Sequence, residues 1–253
     1  MKLFTLFIAF TTCLYFTALG QRPQPDVLRA RKGNITIQPI THGSLVLTWD
    51  GRTVYVDPYG GAEGYAGLAD PDVILITDIH GDHLDLKTLQ VINTSKAIIV
   101  APQAVADKLP EDLKKKAFVM ANGDKTCQSD MGITAIPMYN LPETAESRHP
   151  RGRGNGYVIS MGGKNIYLSG DTGDIPEMRK LEDIDVAFIC MNLPYTMDVD
   201  HAASGVLAFK PRIVYPYHYR GQNGLSDVER FKTLVNQGNK KIEVRLRDWY
   251  PGG

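Results

Sequence analysis

The chain has 253 residues, of which 43% are hydrophobic and 22% are charged, so it can bury the core of one globular domain. It carries 28 basic and 28 acidic side chains, which gives a formal net charge of zero. This balance argues against a nucleic-acid-binding protein and against a basic protein that lies on a membrane surface.

Residues 1–20 have the pattern of a secretory signal peptide. Lys2 is followed by an apolar stretch, and the small residues Ala18 and Gly20 stand at the −3 and −1 positions before Gln21. A retained anchor helix is the alternative, because the stretch is near the minimum length that spans a bilayer. We expect an exported protein, periplasmic or secreted, with residues 21–253 as one domain and no membrane span after cleavage.

The predicted mature domain keeps two cysteines, Cys127 and Cys190. An oxidising compartment would allow them to form one disulfide. Cys190 ends an apolar run that is typical of a buried strand, which favours a free thiol. In either case the fold must be stabilised mainly by its hydrophobic core.

Strand patterns dominate the first half of the domain. Residues 21–34 are polar and contain two prolines, so we expect an extended arm there. An Asp50-Gly51 turn predicts a hairpin. Alternating or continuous apolar runs predict strands at 35–40, 45–49, 53–57, 73–76, 97–100, 117–120 and 132–136. Helical spacing predicts helices at 84–92 and 103–109.

The second half repeats this arrangement. A Gly162-Gly163 turn predicts a second hairpin, formed by strands at 156–160 and 165–169. Further strands are predicted at 186–190, 213–215 and 241–246, and helices at 176–181, 200–209 and 226–236. Two sheets packed face to face, with helices outside, would bury these elements.

The segment 77–83 is unusually rich in side chains that bind metals. It follows the apolar run Val73–Ile76 and contains two aspartates and two histidines: Asp78, His80, Asp82 and His83. Imidazole and carboxylate ligands suit Zn²⁺, Mn²⁺ or Fe. A buried strand that ends in this loop would hold the ligands rigidly. The alternative is a polar loop with two solvated histidines.

Three further candidate ligands lie next to predicted strands. His149 is in the loop before the second hairpin, Asp171 follows the strand 165–169, and His218 follows the strand 213–215. Because the ends of several strands can meet at one edge of a sheet, we expect these residues to share a site with the segment 77–83.

This order of motifs resembles the metallo-β-lactamase superfamily. Tyr167–Thr172 and Pro216–His218 are similar to the branch of small metal-dependent hydrolases that includes ascorbate-6-phosphate lactonase. The resemblance extends over roughly residues 35–220. It implies an α/β fold of the four-layer αββα sandwich type. It also implies two divalent metal ions, Zn²⁺ or Mn²⁺, with Fe as a third option.

The resemblance also implies a role for each candidate ligand. The first metal would be bound by His80 and His149. The second would be bound by Asp82, His83 and His218, and Asp171 would bridge the two. The family motif opens with a histidine where this chain has Asp78. As a ligand, Asp78 would favour Mn²⁺ or Fe over Zn²⁺. If it points away, the first site is weak or empty.

The implied chemistry is metal-dependent hydrolysis. Two divalent ions about 3.5–4 Å apart activate a water molecule and stabilise the oxyanion that forms when it attacks. We expect a lactone, ester or phosphoester substrate, with Asp82 and Asp171 as catalytic carboxylates. The chain has no Gly-x-Ser-x-Gly motif, and neither mature cysteine is in a catalytic context.

Residues near the proposed ligands are candidates for substrate binding. Arginine next to a metal site can bind a phosphate or carboxylate, and the loop around His149 carries three arginines: Arg148, Arg151 and Arg153. We therefore expect a small-molecule substrate with an anionic group. Further candidates for the pocket are Tyr139, Asn155, Tyr195 and Tyr219.

Three more residues have proposed roles. His42 either contacts the metal ligands or the substrate, or is a structural histidine. Asp57 resembles the aspartate that orients the metal loop in the family. His201 is expected to cap a helix or to lie at the surface.

Other functions remain open from the sequence. A phosphodiesterase or nuclease of the same fold is one, although the neutral charge argues against long nucleic acids as substrates. A redox di-iron protein is another, and a non-catalytic metal- or ligand-binding protein is a third. The sequence leaves the oligomeric state open.

Overall fold

The computed structural model describes residues 22–251, so the predicted signal peptide lies outside the described residues. The first of its two large sheets has seven strands, which neighbour one another in chain order. They are β1 (Asp26–Ala30), β2 (Gly33–Thr41), β3 (Ser44–Trp49), β4 (Arg52–Val56), β5 (Val73–Leu75), β6 (Ile98–Ala101) and β7 (Ala117–Val119).

The second sheet also has seven strands. They are β8 (Lys125–Gln128), β9 (Met131–Met138), β10 (Gly154–Met161), β11 (Lys164–Leu168), β12 (Val186–Ile189), β13 (Ile213–Pro216) and β16 (Glu243–Val244). A separate two-stranded ribbon is formed by β14 (Arg220–Gly221) and β15 (Gly224–Leu225).

Six α-helices and one 3₁₀ helix, Ala62–Tyr65, connect the strands in the described residues. The α-helices are α1 (Leu86–Val91), α2 (Gln103–Ala106), α3 (Glu111–Lys114), α4 (Pro176–Arg179), α5 (Val199–Phe209) and α6 (Val228–Gly238). None of the helices in residues 22–251 has the length and apolar character needed to cross a membrane.

The sheets combine antiparallel hairpins with parallel strands. Strands β4 to β7 run parallel in the first sheet, and β11, β12, β13 and β16 run parallel in the second. Parallel strands present their carboxyl ends at the same edge of a sheet. The loops after β4, β5, β11 and β13 can therefore converge on one site.

The packing has four layers. One hydrophobic cluster joins buried residues of both sheets with α5 and α6, for example Leu47, Ile133 and Phe231. A second cluster joins the other face of the first sheet to α1, α2 and α3 through residues such as Ile74 and Leu89. The expected αββα sandwich is confirmed.

The expected extended arm at residues 21–34 is wrong in part. Residues Asp26–Ala30 form the edge strand β1, which pairs antiparallel with β2. The carboxylate of Asp26 accepts hydrogen bonds from Arg247 at 2.6 Å and from Tyr215 at 2.9 Å. These partners are distant in sequence, so the local pattern gave no indication of the strand.

Cys127 and Cys190 are both free. Cys127 is exposed on β8, and Cys190 is buried after β12. Burial raises the pKa of the Cys190 thiol to about 11. The favoured alternative of a buried free thiol therefore agrees with the structure.

Candidate metal centre

All seven predicted ligands lie at one edge of the two sheets. The loop 77–83 follows β5, Asp171 follows β11, and His218 follows β13. His149 is in the loop that leads into β10. The two sheets therefore each supply part of one group of histidines and aspartates.

A buried carboxylate at the end of β4 fixes the loop 77–83. Asp57 accepts hydrogen bonds from the backbone N–H of Thr77 at 2.8 Å and from its hydroxyl at 2.6 Å. It also contacts Nδ1 of His83 at 2.8 Å. This contact turns Nε2 of His83 toward the centre, as expected for a partner that orients a metal ligand.

Three groups of side chains have the composition of metal sites. The His83 cluster contains His83, Asp171 and His218, and the Asp78 cluster contains Asp78, His80 and His149. The third group consists of His42, Asp82 and His218 and shares His218 with the His83 cluster. In each cluster the potential ligand atoms all lie within 4.8 Å of one another. One oxygen and two nitrogens per cluster is a donor set that divalent transition metals accept.

Asp171 links the two clusters. Its Oδ2 lies 3.3 Å from Nε2 of His83 and 3.1 Å from Nε2 of His149. Its Oδ1 lies 3.5 Å from Nε2 of His218. One buried carboxylate thus faces both clusters, which is the position the resemblance implied for a bridging ligand.

The imidazoles of His83 and His218 are arranged as metal ligands. Their rings are nearly parallel, at an interplanar angle of 10°, and their Nε2 atoms are 3.2 Å apart. Two ring nitrogens that face each other at this distance repel unless a proton or a metal ion lies between them. The pair therefore converges on a position that suits a cation.

Unpartnered polar atoms support the same conclusion. Among the described residues, Nε2 of His149 and Oδ1 of Asp171 are buried and have no partner in hydrogen-bonding geometry, although Nε2 of His149 faces Oδ2 of Asp171 at 3.1 Å and Oδ1 of Asp171 faces Nε2 of His218 at 3.5 Å. Leaving such groups unpaired costs about 1–3 kcal/mol each. A divalent ion would satisfy them, so the residues present fit the metal that the donor chemistry implies.

Burial and charge act in opposite directions on the carboxylates of the centre. Burial alone would raise the pKa of Asp171, but His218 and His83 hold that pKa well below its ordinary value. The pKa of Asp82 is likewise lowered, because the bonds from His218 and His42 outweigh its burial. Both carboxylates are therefore anionic and ready to bind a cation.

His42 extends the centre beyond the predicted ligands. Its Nε2 lies 3.1 Å from Oδ2 of Asp82, and its ring centroid is 3.9 Å from that of His218. Its Nδ1 lies 2.8 Å from the hydroxyl of Tyr250. The structure thus places His42 in contact with proposed ligands, and Tyr250 holds it there.

Asp78 has a partner that the resemblance did not imply. Arg153 donates to both of its carboxylate oxygens, at 3.1 and 3.0 Å. The Asp78 side chain is fully buried, and its Oδ2 also lies 2.7 Å from Nδ1 of His80. Asp78 therefore points into its cluster and is paired with Arg153 at the same time.

A cavity of about 300 Å³ opens onto the centre. Four proposed ligands line it: His80, Asp82, His149 and Asp171. Three other side chains complete the lining: Arg148, Asn192 and Tyr195. The guanidinium of Arg148 lies 4.6 Å from the ring centroid of Tyr195. This is room for a small molecule beside both clusters.

The other candidate pocket residues lie elsewhere. Arg151 pairs with Glu143 and Glu177 and covers the ring of Tyr139. The buried Asn155 side chain donates to the Met120 carbonyl at 2.8 Å. Neither Arg151 nor Asn155 lines the cavity, so their role as substrate contacts stays a prediction without support from its lining. The charge of Arg151 and the side-chain amide of Asn155 are bound by partners within the fold.

Two further tyrosines and one histidine also have structural partners. The hydroxyl of Tyr139 donates to Glu177, and that of Tyr219 donates to the carbonyl of Arg247. His201 is exposed in the first turn of α5 and contacts Asp198, the N-cap of that helix. The expected surface or capping role of His201 agrees with this position.

Sequence reasoning missed two residues at the site and one pairing. Tyr250 lies near the chain end and reaches His42 through the tertiary fold, so no local pattern indicates it. Asn192 lines the cavity from the loop after β12. The pairing of Arg153 with Asp78 could have been suspected, because an aspartate in place of a histidine adds a buried charge that needs a partner.

The fold and the site together define a metal-dependent hydrolase. A family model described as the β-lactamase superfamily domain matches residues 36–218. The chain therefore belongs to the metallo-β-lactamase superfamily.

Relatives and solved structures agree with this assignment. A metal-dependent hydrolase of the UPF0173 family from Pyrococcus abyssi is 30% identical over 204 residues, which cover 77% of this chain and 89% of the relative. A crystal structure from Parabacteroides distasonis, provisionally described as a metal-dependent hydrolase, has a TM-score of 0.80 and 39% identity. It covers 90% of this chain and 100% of that one.

A more distant structure shares the fold. The metallo hydrolase Igni18 from Ignicoccus hospitalis has a TM-score of 0.70 at 24% identity, and it covers 87% of this chain and 96% of that one.

Proposed function

We propose that this protein hydrolyses a small lactone, ester or phosphoester that carries an anionic group, with two divalent metal ions bound in the His83 and Asp78 clusters. The position of Asp171 carries the proposal. Its single buried carboxylate lies within 3.5 Å of one histidine nitrogen in the Asp78 cluster and of two in the His83 cluster.

The side chains of the centre divide the work. Two divalent ions bound there would polarise the substrate and lower the pKa of a water molecule. Asp171 holds the clusters at a fixed separation. Asp82 lines the cavity with about a third of its side chain exposed, so its carboxylate can orient a water molecule. His42, hydrogen-bonded on both nitrogens, fixes the position of Asp82.

Arg148 supports the preference for an anionic substrate. It lines the same cavity as the ligands, and no acidic side chain of the described residues forms an ion pair with it. A guanidinium binds carboxylate or phosphate oxygens through two parallel hydrogen bonds. The anionic group would therefore bind next to Tyr195, opposite the metal ligands.

The donor set also limits the choice of metal. Histidine nitrogen and carboxylate oxygen suit both Zn²⁺ and Mn²⁺. The aspartate at position 78 adds an oxygen donor where the family has a nitrogen, which supports Mn²⁺ as a candidate alongside Zn²⁺.

We further propose that the protein is exported, because residues 1–20 have the pattern of a cleavable signal peptide. Mass spectrometry of the protein from its natural source should find Gln21 as the first residue. An intact N-terminus in the cytoplasmic fraction would contradict this.

Metal analysis and a substrate panel test the proposed function together. The purified protein should contain up to two divalent ions and should hydrolyse at least one lactone, ester or phosphoester. Asp171→Asn should lose both metal and activity. Asp130→Asn is the matched control, because Asp130 is exposed and pairs with Arg52 far from the centre. Hydrolysis that survives in Asp171→Asn would contradict the mechanism.

A separate experiment tests the anionic substrate. Arg148→Gln should raise KM for an anionic substrate by about tenfold or more, in line with a lost charge-assisted contact, and should leave a neutral analogue unaffected. Arg151→Gln is the control, because this arginine is held by Glu143 and Glu177 outside the cavity. An unchanged KM in Arg148→Gln would exclude this role.

A further inference from the structure

The two clusters differ in the cations that face their carboxylates. In the described residues, the ion pairs of Asp171 and Asp82 are all with histidines. Asp78 also pairs with histidines, His80 and His149, but it alone of the three pairs in addition with an arginine, Arg153, through both oxygens. The difference matters because the two kinds of partner respond differently to an arriving metal ion.

A histidine can give up its proton, and an arginine cannot. When a metal binds, a protonated imidazole releases its proton and becomes a ligand. A guanidinium stays protonated at every pH at which the protein is folded. The positive charge of Arg153 therefore remains beside the Asp78 cluster when a divalent ion enters it, and it opposes that ion.

The fold holds Arg153 in this place. Strand β10 begins against the metal loop, and the N–H of Asn155 donates to the carbonyl of Thr77 at 3.0 Å. A Cβ atom on Gly154 would lie 2.9 Å from that carbonyl and 3.4 Å from Oδ1 of Asp78. Glycine is therefore needed for the close approach, and the residue before it is fixed next to Asp78.

The hydrogen bonds at Asp78 also compete directly with a metal. Its Oδ2 has contacts with Arg153 at 3.0 Å and with His80 at 2.7 Å, so both of its lone-pair directions are engaged. The His80 contact can be replaced by a shared metal ion. The Arg153 contact remains and withdraws electron density from the oxygen that would bind the ion.

We propose that Arg153 makes the two metal sites unequal, so that the ion in the His83 cluster binds first and tightly while the ion in the Asp78 cluster binds weakly and exchanges. This inference rests on the two-metal site of the proposed function. The protein would then exist with one ion at low metal concentration, and the metal supply would control the fraction with both ions.

Calorimetric titration of the metal-free protein with Mn²⁺ and with Zn²⁺ tests this. The wild type should show two dissociation constants that differ by at least about tenfold, the scale on which partners of metal ligands act. Arg153→Gln should tighten the weaker one by a similar factor and leave the stronger one unchanged. Arg153→Lys should lie between the wild type and Arg153→Gln, because it keeps the charge but loses the two parallel hydrogen bonds to Asp78.

The matched control is Arg151→Gln. This arginine is two residues away and pairs with Glu143 and Glu177, so its loss should change neither constant.

Arg153→Gln removes the guanidinium that faces the buried Asp78. Metal should therefore raise the melting temperature of this variant by more than it raises that of the wild type. If this variant does not fold, Asp78→His combined with Arg153→Gln leaves no buried charge and should also bind the second ion more tightly than the wild type.

Three results would overturn the inference. A weaker second ion in Arg153→Gln would mean that Arg153 orients Asp78 as a ligand. Two equal dissociation constants in the wild type would remove the inequality itself and leave the proposed function intact. A protein that binds no ion in any of these forms would contradict both the inference and the proposed function.

Discussion

At the scale of single residues, buried carboxylates determine what the centre can bind. Asp57 has no access to the cavity, yet it fixes both Thr77 and His83. Its contact with Nδ1 leaves Nε2 of His83 to face Asp171 and His218. A side chain that never touches the substrate therefore sets the geometry of the His83 cluster.

Asp57→Asn should lower metal affinity by about 10- to 100-fold, because the amide is a weaker partner for the His83 ring and for the hydroxyl of Thr77. Calorimetric titration would measure this. Asp72→Asn is the control: Asp72 also accepts a backbone hydrogen bond, from Thr53, but it lies away from the centre. Equal affinities in both variants would show that Asp57 has no part in orienting His83.

The residue scale also shows what a sequence can and cannot reveal. The seven ligand candidates were found because they lie next to predicted strands in a dense and ordered pattern. The contacts of Arg153 and Tyr250 were not predicted. Arg153 lies 75 residues from its partner Asp78 in the sequence, and Tyr250 lies 208 residues from its partner His42. Side-chain pairings across such separations depend on the packing of both sheets.

At the scale of elements, the start of β10 is the most constrained segment of the site. It contacts the metal loop through the backbone of Asn155 and holds Arg153 beside Asp78. A Cβ atom on Gly154 would also lie close to the methyl group of Met138, which belongs to the neighbouring strand β9. The strand can therefore reach this position only with glycine there.

Gly154→Ala should destabilise the protein by about 1–3 kcal/mol, since the added methyl group overpacks a closed contact. Metal affinity should fall as well, because β10 would move away from Thr77. Chemical denaturation and metal titration measure the two effects. Gly132→Ala, on β9 with only ordinary contact to Ser160, should be nearly neutral. A stable Gly154→Ala with unchanged affinity would contradict this account of β10.

Most of the elements could be predicted from their periodicity, and the failures have a common cause. The edge strands β1 and β8, the ribbon strands β14 and β15, the 3₁₀ helix and the short helix α3 were not predicted. The two edge strands alternate between half-buried and exposed residues, so they lack the apolar pattern of the inner strands. Helix α3 has only four residues and buries one leucine, Leu113. Such elements form through contacts with their neighbours.

At the scale of the whole molecule, the centre exists because two sheets meet along one edge. The first sheet carries the loop 77–83, and the second carries Asp171 and His218. The same stacking buries several tyrosines between the sheets and under the helices. Burial raises the pKa values of Tyr157, Tyr167 and Tyr217 well above the ordinary value of 10.0.

These tyrosines predict a loss of stability in alkali. A group whose pKa is higher in the folded state stabilises the fold fully below its unfolded pKa, and this contribution is lost as the pH rises toward the folded pKa. Three such groups should therefore contribute about 4 kcal/mol per pH unit above pH 10 to the fall in the free energy of unfolding. Other buried tyrosines with raised pKa values, such as Tyr65 and Tyr250, should make the total slope steeper. Urea denaturation between pH 8 and about pH 11 would measure the slope.

Tyr167→Phe is the variant that isolates one of these groups. Among the described residues, the buried Tyr167 hydroxyl has no hydrogen-bond partner, so its removal should raise stability at neutral pH by about 1 kcal/mol. The slope above pH 10 should fall by about 1.4 kcal/mol per pH unit. An unchanged slope would show that other groups cause the alkaline transition.

The most direct test of the two-metal centre is a crystal structure of the protein grown with excess Mn²⁺ or Zn²⁺, with the ions located by their anomalous scattering. Two peaks are predicted, one in the His83 cluster and one in the Asp78 cluster, with Asp171 bound to both. A single ion that does not contact Asp171, or no ion at this edge of the sheets, would contradict the account.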